Sequence, residues 1–319
     1  MKKPLLLLAL GATLLLIAGC GSKADHSVTA PQLSTQALPQ AIAVPNGGFG
    51  PGGPHYFYTF ATNHDPNSGA FTDLERIDLR TGQGTLGASL GVDFFDPERG
   101  LMSPLGLCFD QKGDLYTIVN WLLGPLPTSS RFARVNPVTG QVTWIGDYYQ
   151  GNMTGPVSDK AGNLYGTGFS NGPNHEPPDW FVGDQNLYRI NKKTGVREII
   201  GDTGLRDIMD LAFDAHGRLY ATTLNKLYIL STVNGSARLV ANITGVPRNA
   251  CGTQLEVMSI DFDSRGVLYG TAIEGFGVAC FENTPFMSID PCTGVAKVIG
   301  WTGQWYNHGG AIGNLRPPL

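Results

Sequence analysis

From residue 55 onward, apolar and polar residues alternate with a period of two in short runs, each closed by Gly, Asn, Asp or a Thr-Gly pair. That pattern predicts strands joined by tight turns. One phrase recurs four times: Leu107–Tyr116 (LCFDQKGDLY), Val157–Tyr165 (VSDKAGNLY), Leu211–Tyr220 (LAFDAHGRLY) and Ile260–Tyr269 (IDFDSRGVLY). Its aspartates, Asp110, Asp159, Asp214 and Asp263, are spaced by 49, 55 and 49 residues. Each copy reads as strand, turn, strand: Asp bonds its own backbone to start the turn, and Gly takes a positive φ. A second phrase alternates with the first and occurs five times: Leu74–Gly82, Phe132–Gly140, Leu187–Gly195, Leu227–Gly235 and Phe286–Gly294. It predicts a second hairpin in each repeat.

Four strands every 40–59 residues is the period of a β-propeller blade. Five second hairpins but only four complete first hairpins imply a shared blade. The segment His55–Ala61 reads as a second strand, and Gly309–Asn314 matches a first strand up to its turn. The expected fold is therefore all-β: a five-bladed propeller whose C-terminal strand joins the first blade and removes an exposed edge. Six blades, with one hidden in residues 21–54, is the alternative; the lack of alternation there counts against it. The repeats resemble those of secreted bacterial propellers of the broad NHL, SMP-30-like and lactonase-like type, over about residues 55–314. That resemblance implies architecture and is nearly silent about activity, because such rings host binding, hydrolysis and lyase chemistry alike.

Composition fits this picture. Gly (43) and Pro (21) make up about a fifth of the 319 residues, and only 15% are charged, against roughly a quarter in an average soluble domain. Helical bundles and coiled coils are excluded. The net charge of −4 offers no basic field for a phosphate backbone, so nucleic acid is not an expected partner.

The N-terminus carries an address. Lys2 and Lys3 precede an apolar run, Leu5–Ile17, too short to span a bilayer, and Ile17-Ala18-Gly19-Cys20 closes it. This resembles the lipobox of bacterial lipoproteins and implies a signal peptide over residues 1–20 with a lipid on the Cys20 thiol. By the same resemblance, Gly21 rather than Asp after the cysteine favours the outer membrane if the host has two. Residues 21–54, rich in Ser, Ala, Gln, Pro and Gly, read as a flexible tether, leaving residues 55–319 as the propeller domain.

Chain direction sorts the loops. Turns 1→2 and 3→4 share one face and are short. The 2→3 and between-blade connections share the other and carry the insertions, among them Asn63–Thr72, Asn120–Ser130, Ser170–Asn186 and Ala272–Pro285. Blade 4 is the exception, with only Leu224–Lys226, which predicts a gap in the wall there. Long loops on one face of a rigid ring are where function resides. Trp121, Tyr148, Trp180, Trp305 and Tyr306, with His175, fall in these loops and are the expected ligand-face residues for a glycan, a peptide or an envelope protein.

Catalytic chemistry is less legible. His64-Asp65-Pro66 is similar to a tripeptide of arabinanase-type glycosidases, but reads as turn chemistry here. Carboxylates that could act across a pocket are Asp65, Asp93, Glu98, Asp179, Asp210, Glu256 and Glu274, and spacing does not pair them. Asp210, Glu256 and His308 are the acid–base candidates for an envelope hydrolase or lyase acting at the central funnel. The four turn aspartates look like a metal row but are too far apart to share an ion. SMP-30-like lactonases hold a divalent metal with Glu, Asn and Asp; the inner strands here offer Asp210, Ser259 and Asp261, with Gly106, Gly155 and Gly310 at related positions, too few carboxylates for a hard cation. No metal and no cofactor beyond the Cys20 lipid is expected.

Four cysteines remain in an oxidising compartment. Cys251 and Cys280 both fall in long-loop-face connections of blade 5 and are expected to pair. Cys108, at the inner-strand slot of Ala212, is expected to be a small buried residue, and Cys292 to be free in its turn.

Overall fold

The computed structural model describes residues 56–65, 69–93, 95–96, 100–123, 129–169, 185–274, 283–304 and 307–313. The first blade is opened by β1 (Tyr56–Asp65), β2 (Gly69–Asp78) and β3 (Gly84–Asp93). A two-residue strand, β4 (Phe95–Asp96), precedes the second blade: β5 (Gly100–Phe109), β6 (Leu115–Leu123), β7 (Ser129–Val135) and β8 (Val142–Gln150). The third holds β9 (Met153–Ser158), β10 (Leu164–Phe169), β11 (Gln185–Ile190) and β12 (Arg197–Asp202). The fourth holds β13 (Ile208–Phe213), β14 (Leu219–Thr223), β15 (Lys226–Leu230) and β16 (Ala237–Asn242). The fifth holds β17 (Glu256–Phe262), β18 (Leu268–Ile273), β19 (Pro285–Ile289) and β20 (Ala296–Trp301), and β21 (Asn307–Gly313) ends the described chain. Strand β21 pairs antiparallel with β1, giving the order β21-β1-β2-β3. The chain is a five-bladed β-propeller, closed by its C-terminal strand.

The Leu-Tyr pair of the repeat explains why the blades form a ring. Successive residues of a strand point to opposite faces, so each pair feeds two seams. Leu115 packs with Tyr58, Phe60 and Leu74 between blades 1 and 2. Its neighbour Tyr116 packs with Leu164 and Tyr188 between blades 2 and 3. Tyr165 meets Leu219 at the next seam, and Tyr220 meets Leu268 at the one after. Tyr269 stacks on Phe286 and packs with Phe57 and Ile77 of blade 1, completing the circle. Five apolar clusters, one per seam, thus replace a single central core, and each fully buried Leu or Tyr contributes about 2 kcal/mol.

The turn aspartates are structural, as their register predicts. Asp110 Oδ1 accepts the N–H groups of Lys112 (2.8 Å) and Asp114 (3.1 Å). Asp214 accepts those of His216 and Arg218, and Asp263 those of Arg265 and Val267. The Lys192 ammonium, 2.9 Å from Asp110, ties blade 3 to blade 2.

At the axis, backbone meets backbone. The inner strands β5, β9, β13, β17 and β21 each touch the next around the ring. Every inner pair carries a register shift at the same level: Tyr58/Phe60, Pro104/Leu107, Tyr165/Thr167, Ile208/Asp210 and Val257/Ser259. Gly106 (φ +87°) faces Gly155 so closely that a Cβ would lie 2.1 Å from the Gly155 carbonyl oxygen.

On the long-loop side, amide side chains clamp blade 2 to blade 3, blade 3 to blade 4 and blade 4 to blade 5. Asn120 at the end of blade 2 donates to the Met153 carbonyl and accepts its N–H, both at 2.9 Å. Gln185 Oε1 accepts the Ile208 N–H at 2.8 Å. Asn225 accepts from Val257 N–H (3.3 Å) and donates to the Leu255 carbonyl (2.8 Å). Asn120→Ala leaves the buried N–H and C=O of Met153 without partners. Chemical denaturation is expected to show a loss of about 2–3 kcal/mol; a loss under half of that would mean the clamp is incidental.

Candidate functional site

Each inner strand begins at the long-loop face, so its first residues ring the mouth of the axis. Counting back seven residues from each turn Asp or its blade-1 counterpart Asn314 gives Ser103, Asn152, Asp207, Glu256 and Asn307. One polar residue per blade stands at this level. The register is visible in the sequence once the turn aspartates are aligned, but apolar periodicity passes over it.

The five differ in what they do. Asn307 is fully buried and turns to Glu75 on β2. Asn152 is 5% exposed, and neither its amide nitrogen nor its oxygen has a hydrogen-bond partner. Asp207 and Glu256 are half-buried neighbours. Burial raises the proton affinity of both, and the Asp207 charge raises that of Glu256 further. Asp207 also sits in the left-handed region (φ 54°), which Asp tolerates better than most residues. The mouth thus presents two carboxyl groups that keep protons above the ordinary carboxylate range.

The other two acid–base candidates are sealed in the interior. Asp210 has no exposed surface; its Oδ2 accepts the Ile260 N–H at 2.9 Å, binding blade 4 to blade 5. Desolvation holds its carboxyl well above the usual range, against the N–H groups of Ile260, Leu211 and Gly310. Asp261 ties blade 5 to blade 1 in the same way: its Oδ2 accepts the Ile312 N–H at 2.6 Å, and burial pushes its carboxyl up to about 7. His308 is 5% exposed, and burial lowers its imidazole to about 4. Asp210 and His308 are therefore corrected from acid–base candidates to ring-building residues, because no ligand reaches them. Glu274 is also buried and accepts a hydrogen bond from the Asn249 amide, pinning the 249–253 turn to the end of β18.

Trp121, expected on the ligand face, is 2% exposed and packs with Met102, Val119 and Trp144. Its ring also meets Tyr148 edge-on at 5.0 Å. The indole is an anchor inside blade 2 because it lies on a regular strand whose inward face is apolar. Tyr148 is the exposed member of this cluster (39%), with the Arg131 guanidinium over its ring at 4.9 Å. Trp180, Trp305, Tyr306, His175, Cys280 and Cys20 lie outside the described residues.

Cys108 is a buried free thiol. Cys251 is disulfide-bonded, and so is Cys292, against the expectation that it stands free. The physical reason is the twist of the outer strand. It carries Thr244 alongside the Cys292 turn, where the Thr244 N–H donates to the Gly294 carbonyl (3.0 Å) and the Thr244 carbonyl accepts the Ala296 N–H (2.7 Å). The turn therefore lies beside the connection holding Cys251, not a ring's height away.

At blade 4 the hairpin is two residues long and Leu224 is exposed, while the long 2→3 loops of blades 3 and 5 expected to wall the gap lie largely outside the described residues. The 243–255 connection closes against the hairpin's other residue, Asn225, which accepts the Ile243 N–H through its backbone. Among the described residues, no three His, Cys, Asp or Glu side chains gather as metal ligands, and no helix is long and apolar enough to cross a membrane.

No protein-family model matches the chain, and no curated protein matches it. Solved structures similar to it include one from a nidogen/laminin complex: 15% identity, TM-score 0.44, covering 82% of this chain and 98% of that one. A gluconolactonase from Xanthomonas campestris shares 14% identity with a TM-score of 0.40, covering 82% and 89%. A putative 6-phosphogluconolactonase from Bacteroides uniformis shares 12% with a TM-score of 0.40, covering 79% and 84%. At such identities the site stands on this chain's own geometry.

Proposed function

We propose that this protein is a lipid-anchored, extracytoplasmic propeller that works as a binding or scaffolding module. Cys20 carries the anchor, and the long-loop face takes a glycan, a peptide or another envelope protein. One observation supports the reading: Asp210 and His308 are sealed in the ring, while the strands that bound the 2→3 and between-blade connections end on one face. Metabolic labelling of the full chain with a radioactive fatty acid is expected to mark it, and Cys20→Ser to abolish the label. Crosslinking in intact envelopes should then capture a defined partner, lost when the connection 124–128 between β6 and β7 is shortened. Absence of a partner and of glycan binding, alongside measurable turnover, overturns the proposal.

The second reading is a hydrolase or lyase acting on a sugar or lactone-like substrate at the mouth. The Asp207–Glu256 pair favours it, since two neighbouring carboxyls with raised proton affinity suit acid–base work. Glu256→Gln and Asp207→Asn should each then lower turnover by 100-fold or more, in line with losing one acid–base group. The binding reading requires ligand affinity to change by far less, read by titration on the same variants.

A further inference from the structure

The ring closes at the seam between blades 5 and 1, and a carboxyl group is buried inside it. Glu75, on β2, has no exposed surface. Its Oε2 accepts the Asn307 side-chain amide, and Asn307 opens the closing strand β21. Thr302, on the connection out of blade 5, donates to Asn307 Oδ1 at 3.4 Å, and its carbonyl accepts the Gly84 N–H at 3.0 Å. The other carboxyl oxygen, Oε1, is buried with no partner. It crowds Gly84: a Cβ there would lie 1.6 Å from Oε1 and 2.8 Å from the Thr302 carbonyl oxygen. Oε1 and the Thr302 carbonyl oxygen thus both crowd the Gly84 backbone, where an ionised Oε1 adds a negative charge with no donor to meet it and the neutral acid carries a donor of its own. The equivalent positions of the other blades hold Ala133, Tyr188, Tyr228 and Met287, so the carboxyl marks the closing blade alone.

We propose that Glu75 is a proton-dependent latch on the ring closure: as the neutral acid it holds β21 against the connection from blade 5, and on ionising it loosens that seam. Its environment supports this. Burial raises Glu75 to about 7, with the Asn307 amide opposing. The charged or titratable groups on the surrounding elements are Asp73, Arg76 and Asp78 on its own strand, Tyr56 and Tyr58 on β1, His308 on β21 and Lys297 on β20. None of them contributes to the shift. His308 is held neutral by burial and, one residue from Asn307, points to the opposite face of β21. His64, Asp65 and Asp93 fall at the far ends of β1 and β3. A folded-state value above the unfolded one means that the stabilisation is complete below about 4.5 and is lost as pH rises through about 7.

Hydrogen exchange of the β21 amides tests this in the full chain. After correction for intrinsic rates, protection is expected to fall by up to about 100-fold between pH 5 and pH 8. Glu75→Gln keeps the Asn307 contact without the charge, and should hold β21 protected and flat across that range. A flat wild-type profile, or a variant that keeps the pH dependence, overturns the latch. Should the variant not fold, the carboxyl carbon of Glu75 is titrated by NMR in the unaltered protein. A midpoint near 7 that tracks β21 protection supports the latch, and a midpoint below 5 overturns it.

Discussion

Gly106→Val is expected to leave no folded protein. The residue sits at φ +87°, where a β-branched side chain is strained before any contact is counted. Its Cβ would also overlap the backbone of Gly155 at 2.1 Å, and on the other side Gly309 approaches it, a Gly309 Cβ falling 2.6 Å from the Gly106 Cα. Both neighbours are main chain and belong to inner strands locked into the same ring, so neither can retreat. A cost above about 5 kcal/mol consumes most of the stability of an ordinary domain. Gly113→Ala separates the two terms, because Gly113 has nearly the same φ (+83°) but no atom within 4 Å of its would-be Cβ. That variant should lose only about 1–2 kcal/mol. Soluble yield and thermal melting read the contrast. If the two variants melt within a few degrees of each other, the axis is not closed by backbone contact.

Ending the chain before Asn307 should have an effect as large. Without β21, β1 has a bare edge, the carboxylate of Asp261 loses its Ile312 partner, and Asn307 no longer caps Glu75. A buried Glu75 without its partner, an Asp261 left with only the Phe262 N–H and an open seam should abolish the cooperative transition and expose apolar surface to a hydrophobic dye. A synthetic peptide spanning residues 307–319 should restore the transition in trans, since pairing with β1 needs only strand addition. A truncated chain that still melts cooperatively would show that the other four blades stand alone.

How much of this was legible in the sequence depends on what each residue type must do locally. The Leu-Tyr pairs, the turn aspartates and the Thr-Gly hairpins announce their conformations within a few residues, so blade number and closure followed from counting them. Trp121 was misplaced because a strand end and the loop after it look alike in composition, and only the facing Met102 and Trp144 show which way the ring points. Asp210 looked reachable because a carboxylate on an inner strand usually is. Two of the three backbone N–H groups that hold it come from Ile260 and Gly310, residues 50 and 100 positions away. Cys292 was assigned by the face its turn occupies, whereas the twist of the outer strands brings turn and connection together. Asn152 and Asp207 require alignment across blades, because no single repeat marks them, whereas Glu256 stands out in the sequence as a carboxylate at the start of an inner strand.

The pairing of Tyr56 with Gly313 fixes where the ring is held. β1 starts at the face of the short turns and runs toward the long-loop side, so any upstream segment joins the ring on the turn face. Tension transmitted along that segment would pull on β1, a strand gripped by β21 on one flank and β2 on the other, and the mouth where Asp207 and Glu256 stand would feel none of it directly. The start of β1 in blade 1 and the mouth carboxyls of blades 4 and 5 thus stand on opposite faces of the ring.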